Sequence, residues 1–256
     1  FNILKINRNK IDYFLLLTPG LALFGMLIML PIILTIVYSF FKISFLTNQF
    51  DYVGFKNFLK LLNKKEFYNS LKIVLSLTII AVIFSNLIGI IFAKLFNKNN
   101  KIFIVLRVLI FTPFILSPIV VGYTFSSILT DEGILNQFLS FVSLNSNISW
   151  LGNPKYALVS ISIALCWQLV AFCTVIYLAC LKNIPSELED AVNIDGANNI
   201  QKFRYLDWPL LAPALTINTV VILISSFKLY DRVLALTGGG PGRSTETISM
   251  LIIRTA

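Results

Sequence analysis

Five runs of this chain, Tyr13–Phe41, Leu71–Phe96, Ile104–Leu129, Tyr156–Leu181 and Leu210–Leu236, are poor in charge and long enough to cross a bilayer as helix. A hydrocarbon core roughly 30 Å thick needs about 20 apolar residues of helix. Within it, only helices and closed barrels satisfy their own backbone hydrogen bonds. The runs therefore predict an all-α fold, a polytopic transmembrane helical bundle. Composition agrees: 57% of residues are apolar and 13% charged, against about 45–50% and 25% in soluble domains. A sixth run begins near Thr247 and reaches Ala256. About ten residues of helix cover only roughly 15 Å, which predicts that the helix continues past Ala256. The first run is too long for a removed signal peptide and has no small-residue cleavage site.

The net charge of +9 suits the flanks of membrane spans better than a nucleic-acid surface, because Lys and Arg sit between the apolar runs. Those flanks divide evenly between the two sides of the membrane, so the positive-inside rule does not orient the bundle. Between the first two spans, Phe55, Phe58, Leu59 and Leu62 have helical spacing and predict an amphipathic surface helix. Cys166, Cys173 and Cys180 recur every seven residues along one helix face. Small side chains packed at a helix contact account for that stripe, and no metal-ligand pattern includes them. The chain contains no His.

The segment Lys182–Pro209 is the most informative. Ser186-Glu187-Leu188-Glu189 reads as a capping box after Pro185, with acidic residues at the positive end of the helix dipole. Leu188, Ala191 and Val192 form a short apolar stripe. Asp195-Gly196 supplies a turn, Asn198 or Asn199 can cap a second helix carrying Phe203 and Leu206, and Pro209 opens the next span. The product is a helix-turn-helix outside the bilayer whose stripe suits a partner's groove, although a plain interhelical connection has the same composition.

The run Pro185-Ser186-Glu187-Leu188-Glu189-Asp190-Ala191-Val192-Asn193-Ile194-Asp195-Gly196-Ala197, followed by Phe203, Leu206 and Pro209, resembles the EAA loop of ABC importer permeases. Asp190 stands where Glu is usual, and Val192 where a second Ala is usual. In that family the loop is cytoplasmic and its coupling helix docks on an ATPase subunit. The resemblance thus implies a type I ABC importer permease fold, an N-terminus inside the cell and a multi-pass protein of the plasma or inner membrane. It marks Asp190, Ala191, Val192, Asp195, Gly196, Ala197 and Phe203 as the ATPase-coupling residues. A second run, Leu236-Thr237-Gly238-Gly239-Gly240-Pro241-Gly242, then Ser244-Thr245-Glu246-Thr247 and Ile253-Arg254-Thr255-Ala256, is similar to the outer loop and last-helix start of carbohydrate-uptake permeases of the maltose and oligosaccharide type. Val53-Gly54-Phe55-Lys56-Asn57-Phe58, Gly133-Ile134-Leu135-Asn136 and Trp150-Leu151-Gly152 echo the same group. The glycines are no phosphate loop, because Arg243 follows Gly242 where a Walker A would need Lys before Ser or Thr.

The resemblance implies residues 1–70 as an N-terminal transmembrane helix with an external amphipathic segment, and 71–256 as the core permease domain. It implies a chain with no catalytic site and no bound cofactor, ATP and Mg being used by partner subunits. Expected partners are a second homologous permease, two ATP-binding subunits and an extracellular solute-binding protein that delivers a sugar or oligosaccharide. By the same resemblance, the sugar site falls at about Leu165, Gln168, Leu169 and Phe172 in the fourth span and Ser225, Ser226 and Phe227 in the fifth. Trp167, Asn218, Lys228, Tyr230 and Asp231 are further polar or aromatic candidates there. Rings and hydroxyl or amide groups suit a sugar's CH faces and hydroxyls, while the same polar groups also serve helix packing. Lys228 and Asp231, three residues apart, can pair at the membrane surface.

Other classes fit less well. A secondary transporter needs ionisable relay groups deep in its spans, and the second, third and fourth are nearly without acids. A membrane enzyme needs a nucleophile–base or metal-ligand set. An ABC permease for a non-sugar solute is the nearer alternative: the Gly-Gly-Gly-Pro loop argues against polyamine or phosphate, while the group it resembles also includes glycerol-phosphate importers.

Overall fold

The computed structural model describes residues 3–44, 49–97, 100–142 and 148–255; Ala256, quoted above with the last-helix start, lies outside them. The chain forms two compact units, residues 1–65 and 66–256.

In the first unit, α1 (Ile3–Phe24) passes through a π turn at Gly25–Met29 into α2 (Leu30–Tyr38). The stretch Tyr13–Tyr38 is apolar enough to span a bilayer and has no buried residue in its most apolar window. The apolar run was expected to stay helical to Phe41. Instead Phe41 starts a hairpin that the sequence did not announce, β1 (Phe41–Ser44) against antiparallel β2 (Gln49–Tyr52). Two cross-strand neighbours, Phe41 and Tyr52, stack edge to face at 5.4 Å, the type of aromatic pair that stabilises short ladders. The predicted surface helix is present as α3 (Lys56–Leu62). Asn57 Nδ2 ties it down by donating to the carbonyls of Ser39 (2.9 Å) and Phe41 (3.0 Å).

The second unit is built around α8 (Pro154–Lys182), buried on most of its faces, with α4 (Lys65–Phe96), α5 (Lys101–Ile115) and α11 (Trp208–Phe227) against it. Close approach of α4 depends on Gly89: a Cβ there would sit 2.6 Å from Cys173 Cβ. Cys173 thus packs as a small residue at a helix contact, as the stripe predicted, and all three cysteines are free thiols. One turn away, Tyr177 Oη donates to Asn86 Oδ1 at 2.6 Å, joining the same two helices by a buried polar contact. Thr78, Ser162 and Thr174 return their hydroxyls to carbonyls one turn back in their own helices.

Two predicted spans are interrupted. Ile104–Leu129 was expected as one helix; it divides into α5 and α6 (Pro118–Ile128), bent by 99°. Leu116 and Ser117 are extended (ψ 140 and 146); Ser117, directly before Pro118, is pushed out of helical geometry by the proline ring. Pro118 then opens α6, whose first turn Ser117 caps by accepting from Val120 N at 3.4 Å. Likewise Leu210–Leu236 divides after Phe227 and resumes as α12 (Asp231–Thr237). The carbonyls freed at that break are taken by hydroxyls of a later segment: Thr247 Oγ1 donates to Leu229 O (2.6 Å) and Ser249 Oγ to Phe227 O (2.8 Å). Among the described residues, counting the bent pair once, five stretches are long and apolar enough to span. Short α7 (Ile134–Phe141) and α13 (Ile248–Thr255) complete the unit with the segment between α8 and α11.

Gly89→Ala is expected to lower stability by about 1–3 kcal/mol, read as an earlier unfolding midpoint of the detergent-solubilised protein. Adding Cys173→Ala should not relieve it, since the clash is with the Cβ that Ala retains.

Candidate functional site

Two regions of the second unit gather the candidate residues. The first is the segment after α8. Here α9 (Ser186–Ile194) starts from Pro185 as N-cap without any side-chain cap. The capping box expected at Ser186–Glu189 is therefore absent: the Pro185 carbonyl already accepts from Leu188 N (3.2 Å), so Ser186 lies inside the helix instead of before it. Glu189 reaches forward to Lys202 Nζ at 3.0 Å. The turn forms as expected, with Gly196 at φ +71, a conformation glycine adopts without a Cβ penalty. A capping box does form at α10 (Asn199–Lys202). Asn198 Oδ1 accepts from the Ile200 and Gln201 amides, and Gln201 Oε1 accepts from Asn198 N at 2.8 Å.

Asp190, Ala191, Asp195 and Gly196 are exposed and Val192 and Ala197 half-buried, all around this one turn. Phe203 points the other way, packing against the core beneath Lys94, whose Nζ lies 4.3 Å from the ring centroid. Ile194, Ile200 and Tyr205, not singled out from the sequence, are 86%, 77% and 72% exposed. Together with Leu188, also exposed, they are apolar side chains left uncovered on the segment. Ile194 directly before Asp195-Gly196 was the available signal, since a large apolar residue at the last position of a short polar helix has nowhere internal to pack.

The segment is fastened to α4 by a contact the sequence did not reveal. A π turn at Phe203–Asp207 leads into α11, and Asp207, buried to 4% exposure, pairs with Lys94 Nζ at 2.9 Å. A buried carboxylate without such a partner would be costly.

The second region is a cavity of about 300 Å³ between α8, the α5–α6 elbow and the α11–α12 break, at the small end of the usual range for ligand sites, about 300–1,000 Å³. Of the residues expected at a sugar site, Leu165, Gln168, Leu169 and Ser225 line it. Phe172 stands behind the wall, its ring 5.1 Å from that of the lining residue Phe114. Ser226 is buried without a hydroxyl partner and Phe227 is exposed; neither lines the cavity. Gln168 holds the site together. Its Nε2 donates to Leu116 O at 2.6 Å, and its Oε1 accepts from Arg232 Nη2. Lys228, Tyr230, Asp231 and Arg232 complete the polar side. Lys228 and Asp231 make no ion pair with each other, because the helix stops between them. Arg232 was missed as a site residue because its place in the sequence looks like a membrane flank. Only the break before α12 turns it inward, and Gly122 allows α12 to lie close: a Cβ there would be 2.5 Å from Ala235 Cβ.

A larger groove of about 640 Å³, lined by Ile80, Phe84, Phe92, Leu109 and Trp167 among others, is almost wholly apolar. Its Ser162 already bonds within its own helix, so the groove suits a polar solute poorly. At the far end of α12, Gly238 (φ +59) ends the helix. Thr245 Oγ1 then fastens the glycine loop, donating to Gly240 O at 2.8 Å, and Glu246, almost fully buried, pairs with Arg254 at 2.7 Å.

A spanning helical bundle with a polar cavity at its helix breaks and an exposed helix-turn-helix beyond its spans has the plan of a membrane permease subunit. The family described as binding-protein-dependent transport system inner membrane component matches residues 85–255, and this chain belongs to it. Two relatives extend the likeness over nearly the whole chain. The probable starch degradation products transport system permease protein AmyD of Thermoanaerobacterium thermosulfurigenes is 32% identical over 98% of this chain and 85% of its own length. The trehalose/maltose transport system permease protein MalF of Thermococcus litoralis is 32% identical, over 97% and 84%. The fold matches a chain in the crystal structure of a bacterial alginate ABC transporter in complex with an alginate pentasaccharide-bound periplasmic protein. That match has a TM-score of 0.82 at 20% identity, covering 99% of this chain and 86% of that one.

Gln168→Leu would leave the Leu116 carbonyl and the buried Arg232 without their shared partner. The expected loss is at least about 2 kcal/mol, measured as a lower unfolding midpoint. Gln168→Glu, which still accepts from Arg232, should recover part of it.

Proposed function

We propose that this chain is the permease subunit of an ATP-driven importer of a sugar or oligosaccharide, with residues 71–256 as its core permease domain. The observation that carries the proposal is identity of 32% over nearly the full length to relatives named for transport of starch degradation products and of trehalose and maltose. The cavity supports it: Gln168, Ser225 and Tyr230 supply amide and hydroxyl groups beside the Phe114 ring, a combination suited to sugar hydroxyls and CH faces. A second, homologous permease completes the path, and a solute-binding protein delivers the substrate outside.

ATP is hydrolysed on two partner subunits, with their Mg, and this chain contributes no catalytic group and binds no cofactor. The α9–turn–α10 segment docks on one ATPase through its exposed apolar side chains, in the manner of a short helix in a groove. Four candidate crossings precede the segment when the bent α5–α6 pair counts as one, an even number that supports a reading in which it and the N-terminus share the cytoplasmic side. Closure of the ATPases moves the segment. The Lys94–Asp207 pair and the continuous helix from α10 through α11 then pass that motion to the cavity walls. Transport follows from a shift between two arrangements of the bundle, one open to each side.

The class is tested by purifying the tagged chain in mild detergent and identifying by mass spectrometry what it retains. An ATPase and a second permease are expected; recovery of the chain alone, even after crosslinking at Asp195 or Asn198, would refute the importer proposal. In the assembled complex, Gly196→Pro should uncouple ATP hydrolysis from uptake, because proline cannot adopt the positive φ of the turn. The variant should still reach the membrane. Unchanged solute accumulation per ATP hydrolysed would remove this role of the segment.

A further inference from the structure

Among the described residues, the buried charged side chains are Asp207, Arg232 and Glu246. Two have an opposite charge in direct contact, Asp207 with Lys94 and Glu246 with Arg254. Arg232 does not. It is 6% exposed, and no carboxylate oxygen lies within 4.0 Å of its guanidinium. Its hydrogen-bond partner is the neutral Gln168, its Nε has no acceptor, and the neighbouring Asp231 acts on it through space without a direct contact. A charge taken out of water without a counter-charge is strongly unfavourable, and a guanidinium keeps its charge under all physiological conditions.

Arg232 also differs from the other two in where it lies: it lines the polar cavity, with Lys228 and Asp231 on the same wall. Two cations against one anion leave the wall with one uncompensated positive charge. The guanidinium is a planar fork of donors that matches the oxygens of a carboxylate, sulfonate or phosphate. Around it, Ser225, Tyr230 and Gln168 offer the neutral groups that a sugar ring requires.

We infer that the transported solute is an acidic sugar, one carrying a single carboxylate, sulfonate or phosphate ester group, and that Arg232 receives that group with Lys228 beside it. The inference rests on the importer proposal above and narrows it to a substrate class. The neutral portion of the solute lies toward Ser225 and Phe114. The guanidinium, hydrogen-bonded by the neutral Gln168, gains a counter-charge in direct contact only when substrate is bound, so Arg232 is a specificity-determining residue as well as a support of the helix elbow.

The experiment uses the complete complex with its binding protein in proteoliposomes and reads substrate-stimulated ATP hydrolysis. Probes are matched neutral and acidic pairs: trehalose and trehalose 6-phosphate, xylotriose and its glucuronate-substituted form, lactose and 3′-sialyllactose. The acidic member of at least one pair is expected to stimulate at a concentration at least tenfold below its neutral partner. Arg232→Gln should erase that ratio, and Arg232→Lys should keep part of it. If Arg232→Gln does not assemble, Lys228→Gln, at an exposed position, is read instead and should reduce the ratio severalfold. Stimulation by a neutral member equal to or better than its acidic partner overturns the inference while leaving the importer proposal standing. So does a ratio that neither glutamine variant changes. Stimulation by no member of any pair, from a complex that retains its ATPase, overturns the sugar assignment and the inference with it.

Discussion

A helix cannot be broken inside an apolar bundle unless something accepts or donates in place of the hydrogen bonds it gives up. Both breaks that shape this cavity meet that condition with a side chain from elsewhere. The Leu116 carbonyl, released where Pro118 forces the chain to turn, is taken by the Gln168 amide from α8. The Leu229 and Phe227 carbonyls, released where α11 stops, are taken by Thr247 and Ser249 beyond the glycine loop. The cavity exists because these substitutes hold the helix ends apart. Gln168 serves the backbone of one break with its nitrogen and the side chain of the other with its oxygen, so a single amide fixes the distance between the two walls.

The opposite end of the unit follows the same logic with charge. Asp207 sits inside the bundle because Lys94 meets it, and Phe203 packs under the same lysine. The exposed segment is thereby anchored at its exit to α4 while its turn stays free around Gly196. A segment fastened on one side and open on the other can be moved by a partner without coming loose from the bundle.

Much of this was legible in the sequence, for physical reasons that differ by region. Spans could be located because lipid selects long apolar runs, and the turn at Asp195-Gly196 because few residues tolerate positive φ. The hairpin at Phe41–Tyr52 was hidden: its aromatic residues extend the apolar run that precedes them, and hydropathy does not separate helix from strand. The bend at Leu116–Pro118 lay within an unbroken apolar stretch, where a proline can equally kink a helix or end it; Pro113, five residues earlier, does not end one. Arg232 resembled an ordinary flanking charge, and only the fold turns it into the cavity. The Lys94–Asp207 contact joins residues more than a hundred positions apart, for which a single sequence carries no local signal.

The π turn at Phe203–Asp207 has a bearing on how such a chain can change over time. A π turn is what an α-helix becomes when it accommodates one extra residue without rotating what lies beyond. Placed between the exposed segment and α11, it separates the spacing of the segment from the angular position of the cavity wall. A residue gained or lost within those five would be absorbed as bulge or as regular helix, while Ser225 kept its place facing Gln168's side of the bundle. The two working ends of the unit are free to diverge in sequence length at that point, each fitting its own partner, one protein and one solute, without disturbing the other.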